Sequence, residues 1–492
     1  MKVAPILTLI LLGNTLDAQV FTEVPAAQLP FAPVYWSAIA FADIDGDGDE
    51  DVLITGMIDL QTPVTELYTN DGSGGYTLVL GTPFTPVGFS AVAFADMDGD
   101  GDQDVLIAGS LVSNDPFVTL SFIGSYANDG AGNFSLVDDT PFIGVGRGTI
   151  DFADVDGDGD QDVLITGKPS GGLIPTNIAN LFINDGSGIF TMAPGTPFHG
   201  VDESAADLAD VDGDGDVDAL ITGFGPAGLL AELFLNDGSG GFTQVGGMPF
   251  TPVRYGSVAF ADIDGDGDQD VMLTGSINDY GPTGDKVAEL FVNDGTGAFT
   301  LVSGTSFPAC SSTALAFNDV DGDGDQDLLI TGFEFFKFTD LFVNDGAGNF
   351  TVIGGSDFTP SAVGSLVFAD VDGDSDSDVI ISGSYSVVDT RLYLNGAAQN
   401  SVEEGGRLEF VFTLYPNPSG EDRVSISYTS EVRGMLDVRI LDVSGRLISR
   451  LQQPWPGGAR TFSLDISSLA KGSYVVQIND GRRTGTQPLV VR

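Results

Sequence analysis

The sequence predicts an all-β protein, a seven-bladed β-propeller followed by a small C-terminal β-sandwich. One phrase recurs seven times, as FADIDGDGDEDVLITG from Phe41 and again from Phe94, Phe152, Leu208, Phe260, Phe317 and Phe368, at spacings of 51 to 58 residues. Between the copies lie short runs of β-favouring residues bounded by Asp, Gly and Asn, and no window has the period of a long amphipathic helix. The strand missing from the end of the last copy stands at the beginning of the chain. A fixed repeat of this length marks a unit that buries its apolar faces by stacking on neighbours.

Each unit reads as four strands. The first ends in Phe-Ala-Asp and alternates small with large residues (Ala38, Ile39, Ala40, Phe41), which suits a strand crowded near an axis. The second is an apolar run such as Val52 to Thr55. The third, Leu-Phe-x-Asn, and the fourth, Phe-Thr-x-Val, flank a glycine-rich turn in a second recurring phrase: LYTNDGSGGYT from Leu67, LFINDGSGIFT from Leu181, LFLNDGSGGFT from Leu233, LFVNDGTGAFT from Leu290 and LFVNDGAGNFT from Leu341, with a degenerate copy from Ser125. Four antiparallel strands arranged radially make the usual blade. The seventh unit stops at LYLNGAAQ from Leu392, and Phe21-Thr22-Glu23-Val24, followed by Leu29-Pro30-Phe31, matches what it lacks. Pairing that strand into the last blade closes a ring without a free edge. An open array is the alternative and has no use for the match.

The chain has 71 Asp+Glu against 18 Lys+Arg, a formal charge of -53, one His and one Cys. Nucleic acid is disfavoured as a partner, because a polyphosphate needs Lys and Arg to displace its counterions, and an anionic membrane surface is disfavoured for the same reason. With 42% apolar residues the chain still has material for a large core. The last 92 residues hold ten acids and eleven bases, so the acid belongs to the repeats. The opening MKVAPILTLILLGNTLDAQ reads as a secretory signal peptide, with Lys2, an apolar run from Val3 to Leu12 and Ala18 at the cut. No later stretch approaches a membrane helix. The expected division is a leader at 1–18, the propeller at 19–398, a linker at 399–411 and the sandwich at 412–492. A lone Cys310 makes no internal bridge, so an exported chain needs another cross-link, and metal is the economical one.

The acid is concentrated in loops. In the first copy Asp43, Asp45, Asp47, Asp49 and Asp51 occupy positions 1, 3, 5, 7 and 9 of a nine-residue loop, with Gly48 at position 6. Like charges about 4 Å apart repel by roughly 1 kcal/mol even in water, and a hard divalent cation removes the conflict. Calcium accepts about six to eight oxygens, and a loop with side chains at 1, 3 and 5, a carbonyl at 7 and a glycine turn suits it. Position 9 is the closing carboxylate, because position 12 is apolar in all copies: Ile54, Ile107, Ile165, Ile221, Leu273, Ile330 and Ile381.

The expected ligands are therefore Asp43, Asp45, Asp47 and Asp51 with the Asp49 carbonyl. The same register gives Asp96, Asp98, Asp100 and Asp104 with Asp102; Asp154, Asp156, Asp158 and Asp162 with Asp160; and Asp210, Asp212, Asp214 and Asp218 with Asp216. It continues as Asp262, Asp264, Asp266 and Asp270 with Asp268; Asp319, Asp321, Asp323 and Asp327 with Asp325; and Asp370, Asp372, Asp374 and Asp378 with Asp376. About seven calcium ions, one per blade, follow. Magnesium, which keeps its waters, fits less well. An acidic hairpin holding no ion is the bland alternative. Ser375 stands where the other copies have the turn glycine, which makes the seventh site the weakest.

Seven DxDGDGDxD loops, each following a Phe-Ala strand or its variant, resemble the FG-GAP/VCBS repeat, the blade of integrin-type β-propellers, over roughly residues 20 to 398. The resemblance implies one calcium per blade between first and second strands. It implies little about activity, since such propellers serve in adhesion, in lectins and in some polysaccharide lyases. From about Leu408 the tail resembles the type A C-terminal sorting domain of the type IX secretion system of Bacteroidota. Leu414-Tyr415-Pro416-Asn417-Pro418 is its opening phrase, Val438 to Arg446 and Leu464 to Tyr474 match its middle, and Leu489 to Arg492 its end. That implies a β-sandwich recognised by the secretion machinery and removed at the outer membrane. A resident ligand-binding sandwich is the alternative.

Outside the loops the chemistry is sparse. His199 stands where other copies have Thr85 or Thr251 and reads as a loop substitution, Cys310 as a buried filler, and the Asp-Gly-Ser-Gly-Gly runs at Asp71 and Asp237 as turns. Variation concentrates between second and third strands, on the face opposite the metal loops, where Tyr280, Phe333, Phe335, Phe336 and Phe338 offer apolar contacts. The expected protein is a secreted, calcium-stabilised binding or adhesion module for an extracellular glycan or protein ligand, without catalysis. A polysaccharide lyase and a passive surface-coat component are the alternatives.

Overall fold

A computed structural model describes residues 21–396 except 113–119, 171–175, 279–283, 306, 354–357 and 384–387, and in the tail 412–415, 423–430, 434–442, 447–455, 458–467, 469–479 and 484–491. The expected leader and linker lie outside the described residues. The chain divides into two compact units between Gln399 and Asn400.

The first unit is seven four-stranded antiparallel sheets. Blade 1 runs from the axis outward as Tyr35–Ala42, Asp51–Asp59, Thr62–Thr69 and Thr77–Leu78, and each later blade repeats that order. The inner strands adjoin one another all the way round, that of blade 1 meeting Leu366–Ala369 of blade 7. The fourth strand of blade 7 is Phe21–Glu23, antiparallel to Asp389–Asn395, with Phe21 opposite Asn395 and Glu23 opposite Tyr393. Second strands are buried on both faces, as at Asp51–Met57, and so read as unbroken apolar runs. Fourth strands are shorter than the Phe-Thr-x-Val phrase suggests. In five blades only two residues pair, as at Thr77–Leu78, because an outer edge strand has no further neighbour to hold it.

Aromatic packing explains the abundance of phenylalanine. Phe84, on the connection into blade 2, meets Tyr126 of that blade's third strand edge-on at 5.0 Å and Phe134 of its fourth at 5.1 Å. The same triad recurs as Phe142, Phe182 and Phe190 and as Phe250, Phe291 and Phe299. In blade 7 Phe358 meets Tyr393 at 4.8 Å and Phe21 at 5.0 Å, so the N-terminal strand completes a triad as well as a sheet. Each such pair adds about 0.5–1.5 kcal/mol beyond its buried area.

A second ring lies at the start of the inner strands. Trp36, Phe89, Arg147, Glu203, Tyr255, Ser312 and Val363, one per blade, all take left-handed backbone with φ between 46° and 62°. In blades 1, 2, 4 and 6 this residue makes a bulge that shifts register, as between Tyr35 and Ala38. The distortion turns main-chain groups toward the neighbouring blade: Trp36 N–H donates to Val363 O, Val363 to Ser312, Ser312 to Tyr255, Tyr255 to Glu203 and Arg147 to Phe89, at 2.5–3.1 Å. Conformational strain at these residues is thus tied to blade-to-blade hydrogen bonds.

The tail unit has a three-stranded sheet, Phe412–Tyr415, Arg423–Ser430 and Gly458–Asp465, and a four-stranded one, Leu447–Trp455, Gly434–Asp442, Gly472–Asn479 and Thr484–Val491. Val424, Ile426, Val438, Ile440, Val476 and Leu489 are among its buried core residues. Among the described residues no helix is long and apolar enough to cross a membrane.

Candidate functional site

Each aspartate loop joins an inner strand to a second strand, and its backbone is shaped by its own carboxylates. Asp43 accepts the N–H of Gly46 at 2.8 Å and of Gly48 at 3.0 Å. Asp45 accepts from Asp47 N and Asp47 from Asp49 N. Asp51, almost wholly buried at the head of the second strand, accepts from Ile44 N at 3.3 Å and Asn70 N at 2.7 Å. Burial pushes this carboxyl up to about 6, against the pull of those two N–H groups, and pushes Asp327 and Asp378 up to about 7.

The folded loops bring positions 1, 3 and 9 together. Carboxylate oxygens of Asp43, Asp45 and Asp51 lie within 4.8 Å of one another, as do those of Asp96, Asp98 and Asp104, of Asp154, Asp156 and Asp162, of Asp210, Asp212 and Asp218, and of Asp262, Asp264 and Asp270. Such clusters can hold a metal ion. At position 3 the Oδ1 atoms of Asp156, Asp212, Asp264, Asp321 and Asp372 are buried without a hydrogen-bond partner. A buried carboxylate oxygen left so is costly, and a cation supplies what it lacks. Position 5 in the five blades of those clusters (Asp47, Asp100, Asp158, Asp214 and Asp266) lies outside them, its Oδ1 accepting the position-7 N–H as Asp47 accepts from Asp49. The position-7 side chain points elsewhere: a Cβ on Gly72 would come within 2.5 Å of Asp49 Oδ2, and Asp102, Asp160, Asp216, Asp268 and Asp325 crowd the matching glycines. That leaves position 7 its carbonyl to offer.

One participant was missed in the sequence. Asn70, Asn128, Asn184, Asn236, Asn293, Asn344 and Asn395 each donate a main-chain N–H to the position-9 carboxylate of their own blade at 2.6–2.8 Å. Each also donates Nδ2 to the position-2 carbonyl of the preceding blade's loop at 2.7–2.8 Å, with Asn70 reaching Val371 to complete the circle. The signal was the asparagine preceding every turn of the second phrase, retained as Asn395 where the rest of that phrase is lost. Every loop is therefore latched to its own second strand and to the next blade.

At the opposite end of the inner strands all seven blades line an axial cavity of about 700 Å3. Its rim carries a chain of contacts. Trp36 stacks on Phe89 at 4.0 Å, and Arg147 lies over Phe89 at 5.1 Å. Glu203 meets Arg147 at 3.6 Å and Arg254 at 3.3 Å, and Arg254 lies over Tyr255 at 5.2 Å. Phe333 and Lys337, which end the second strand and begin the third strand of blade 6 and pair with each other, also line it. Phe335 and Phe336 are exposed and Phe338 packs against core, while Tyr280 lies outside the described residues. His199 pairs with Glu232 at 2.9 Å, and Cys310 is buried where other blades have valines such as Val34 and Val87.

Comparison with known proteins agrees with the repeat and the tail. Residues 210–273 and 319–381 match the FG-GAP-like repeat family, and residues 413–492 match the secretion system C-terminal sorting domain family. No curated protein matches the chain. Solved structures include a fructofuranosidase from Schwanniomyces occidentalis complexed with fructosylnystose, at 10% identity, 79% coverage of both chains and a TM-score of 0.28. They also include a glycoside hydrolase at 8% identity, covering 71% of this chain and 94% of that one, with a TM-score of 0.27. Dimeric latent PorU from Porphyromonas gingivalis aligns at 12% identity, 85% and 35% coverage and a TM-score of 0.15. Scores this low support no statement about activity. The chain carries FG-GAP-like repeats followed by a type IX secretion C-terminal sorting domain, which directs it to the cell surface or the extracellular space.

Proposed function

We propose that this protein is an exported, calcium-held propeller that acts as a non-catalytic binding module for an extracellular glycan or protein. The observation that carries the calcium half is the set of buried, unpartnered position-3 oxygens, each within a cluster of hard oxygen donors. Asp43, Asp45 and Asp51 would hold the ion, with the Asp49 carbonyl and Asp47 completing the shell, and the other blades follow the same register. Calcium supplies the positive charge that lets these carboxylates stay ionised when buried. Because each loop is latched to the next blade through an asparagine, an ion in one loop stiffens the seam between two blades. The sorting tail directs the molecule outside the cell, and extracellular calcium modules bind at about 0.1–1 mM.

The test is a glycan and protein array probed with the tail-free protein in calcium and in EDTA, beside an absorbance assay for unsaturated sugar products. Calcium-dependent binding without product supports the reading. Unsaturated product would replace it with a lyase, and no ligand in either buffer would leave a surface-coat role.

A further inference from the structure

We propose that the axial cavity is the ligand site of this module and that it takes an acidic sugar, a pyranose ring bearing a carboxylate. The inference rests on the binding-module reading and specifies its site. The first support is the distribution of charge. Residues 21–396 contain only six Lys and Arg: Arg147, Lys168, Arg254, Lys286, Lys337 and Arg391. None lies in an aspartate loop. Arg147 and Lys337 line the cavity and Arg254 braces Glu203 within it, while Lys286 sits 4.9 Å from the ring of cavity-lining Phe333. A scaffold this acidic has gathered most of its cations around one opening.

The second support is the rim. The seven left-handed positions share one backbone, with Val34, Val87, Val145, Val201, Val253 and Cys310 buried two residues earlier in six of them and Ser, Gly or Thr following in all. The left-handed residue itself changes character, from Trp to Phe, Arg, Glu, Tyr, Ser and Val, and so does the residue before it, which is Tyr35, Gly88, Gly146, Asp202, Arg254, Ser311 and Ala362 in turn. Left-handed backbone costs a non-glycine residue about 1–2 kcal/mol, so a ring serving closure alone would favour glycine there. The large side chains of blades 1 to 5 lock together through stacking and ion pairs. Ser312 and Val363 of blades 6 and 7 are small, so the ring is open on that side, beside Phe333 and Lys337. The lining thus offers the rings of Trp36, Tyr255 and Phe333 for the apolar side of a pyranose, Arg147 and Lys337 for a carboxylate, and for its edge Ser37, Ser90 and Thr313, whose hydroxyls also bond Ser382, Thr55 and Thr274 at 2.7–2.8 Å. About 700 Å3 lies within the range of small-ligand pockets.

The experiment uses the calcium-loaded protein without its tail and titrates it calorimetrically with tetragalacturonate, tetraguluronate and cellotetraose. At least one acidic tetramer is expected to bind ten-fold or more tighter than the neutral one, and to weaken as sodium chloride rises. Trp36→Ala and Lys337→Ala should each weaken that binding ten-fold or more. Ser312→Trp should abolish it, since the same backbone carries tryptophan in blade 1 and the new ring fills the open side without disturbing the fold; an unchanged melting temperature checks this. Array binding that survives Ser312→Trp, or a preference for cellotetraose, would overturn this site while leaving the binding-module reading intact. Failure of both acidic tetramers to bind would overturn the acidic-sugar assignment, and an array without any ligand would remove the module reading itself.

Discussion

The two ends of the inner strands obey opposite rules. At the aspartate end every blade repeats the same position-9 carboxylate bonded by the same asparagine, as Asp51, Asp162 and Asp378 show, and Ser375 alone replaces the turn glycine. At the cavity end the backbone is repeated but the side chains differ from blade to blade. Repetition marks what holds the ring together, and divergence on an unchanged backbone marks what the ring presents outward. If that division holds, perturbing the first end moves stability, and perturbing the second moves binding.

The largest effect should come from calcium. When free ion exceeds the dissociation constant about 100-fold, each site adds about 2.7 kcal/mol, and seven sites act on one cooperative ring. We expect the melting temperature to fall by more than about 15 °C in EDTA, read by calorimetry, with recovery on adding calcium. A melt indifferent to chelation would break the comparison at its first term.

A smaller effect isolates the latch. Asn236 is buried and gives Nδ2 to Val155 O at 2.7 Å and Val217 O at 3.1 Å. Asn236→Ala removes a donor from both carbonyls, Val155 O keeping only the Gly240 N–H at 3.0 Å, and should cost about 1–2 kcal/mol in urea denaturation, with calcium present. Ser312→Trp, at the other end, should stay within about 0.5 kcal/mol. Equal costs would mean that the two ends share the structural task.

Buried acids between the two ends give a pH-dependent test. Asp151 and Asp207 stand midway along the inner strands of blades 3 and 4, and burial pushes their carboxyls up to about 7 and about 6. Asp151 accepts from Thr149 Oγ1 at 2.6 Å, and Asp207 accepts from Phe260 N at 2.7 Å. A carboxyl raised above its ordinary value keeps its proton in the folded state, so the stability it confers is full below about pH 4 and lost as pH rises through 7. Asp151→Asn lacks that loss. The variant should match the parent at pH 4 and melt about 2 °C higher at pH 8; a difference constant across pH would show that its proton does not report on folding.

Much of this was legible because a repeat exposes its own constraints. The blade count, the strand order and the loop register all follow from comparing seven copies within one chain. The complement between LYLNGAAQ and Phe21-Thr22-Glu23 anticipated a pairing that the sheet then displays. The asparagine latch was visible as a repeated letter but not as a contact, because its partner lies about 80 residues away in the preceding blade. The cavity rim was illegible for the opposite reason. Trp36, Arg147 and Val363 share no side-chain chemistry; each stands five residues before its repeat phrase, but nothing in their letters announces the left-handed backbone that turns them into one rim. Sequence variation pointed instead to the segments between second and third strands, of which Phe333, at a strand end, lines the cavity while Phe335 and Phe336 are exposed.

The smallest expected effect lies where the metal end departs from its own rule. Ser375 replaces glycine at position 6 of the seventh loop yet keeps the left-handed backbone, at φ 72°, and its N–H still reaches Asp370 Oδ2 at 2.9 Å, as Gly48 reaches Asp43. Loop geometry is thus preserved and the departure falls on the backbone energy of one residue. A left-handed serine costs about 1–2 kcal/mol, and glycine returns about 0.5–1 of that as chain entropy. Ser375→Gly should therefore stabilise by roughly 0.5–1 kcal/mol and tighten the weakest calcium site a few-fold, measured as a shift of the first phase of a chelator titration to higher chelator. If the seventh site already binds like the others, or the substitution loosens it, then loop strain does not set affinity, and the carboxylates alone govern the metal end.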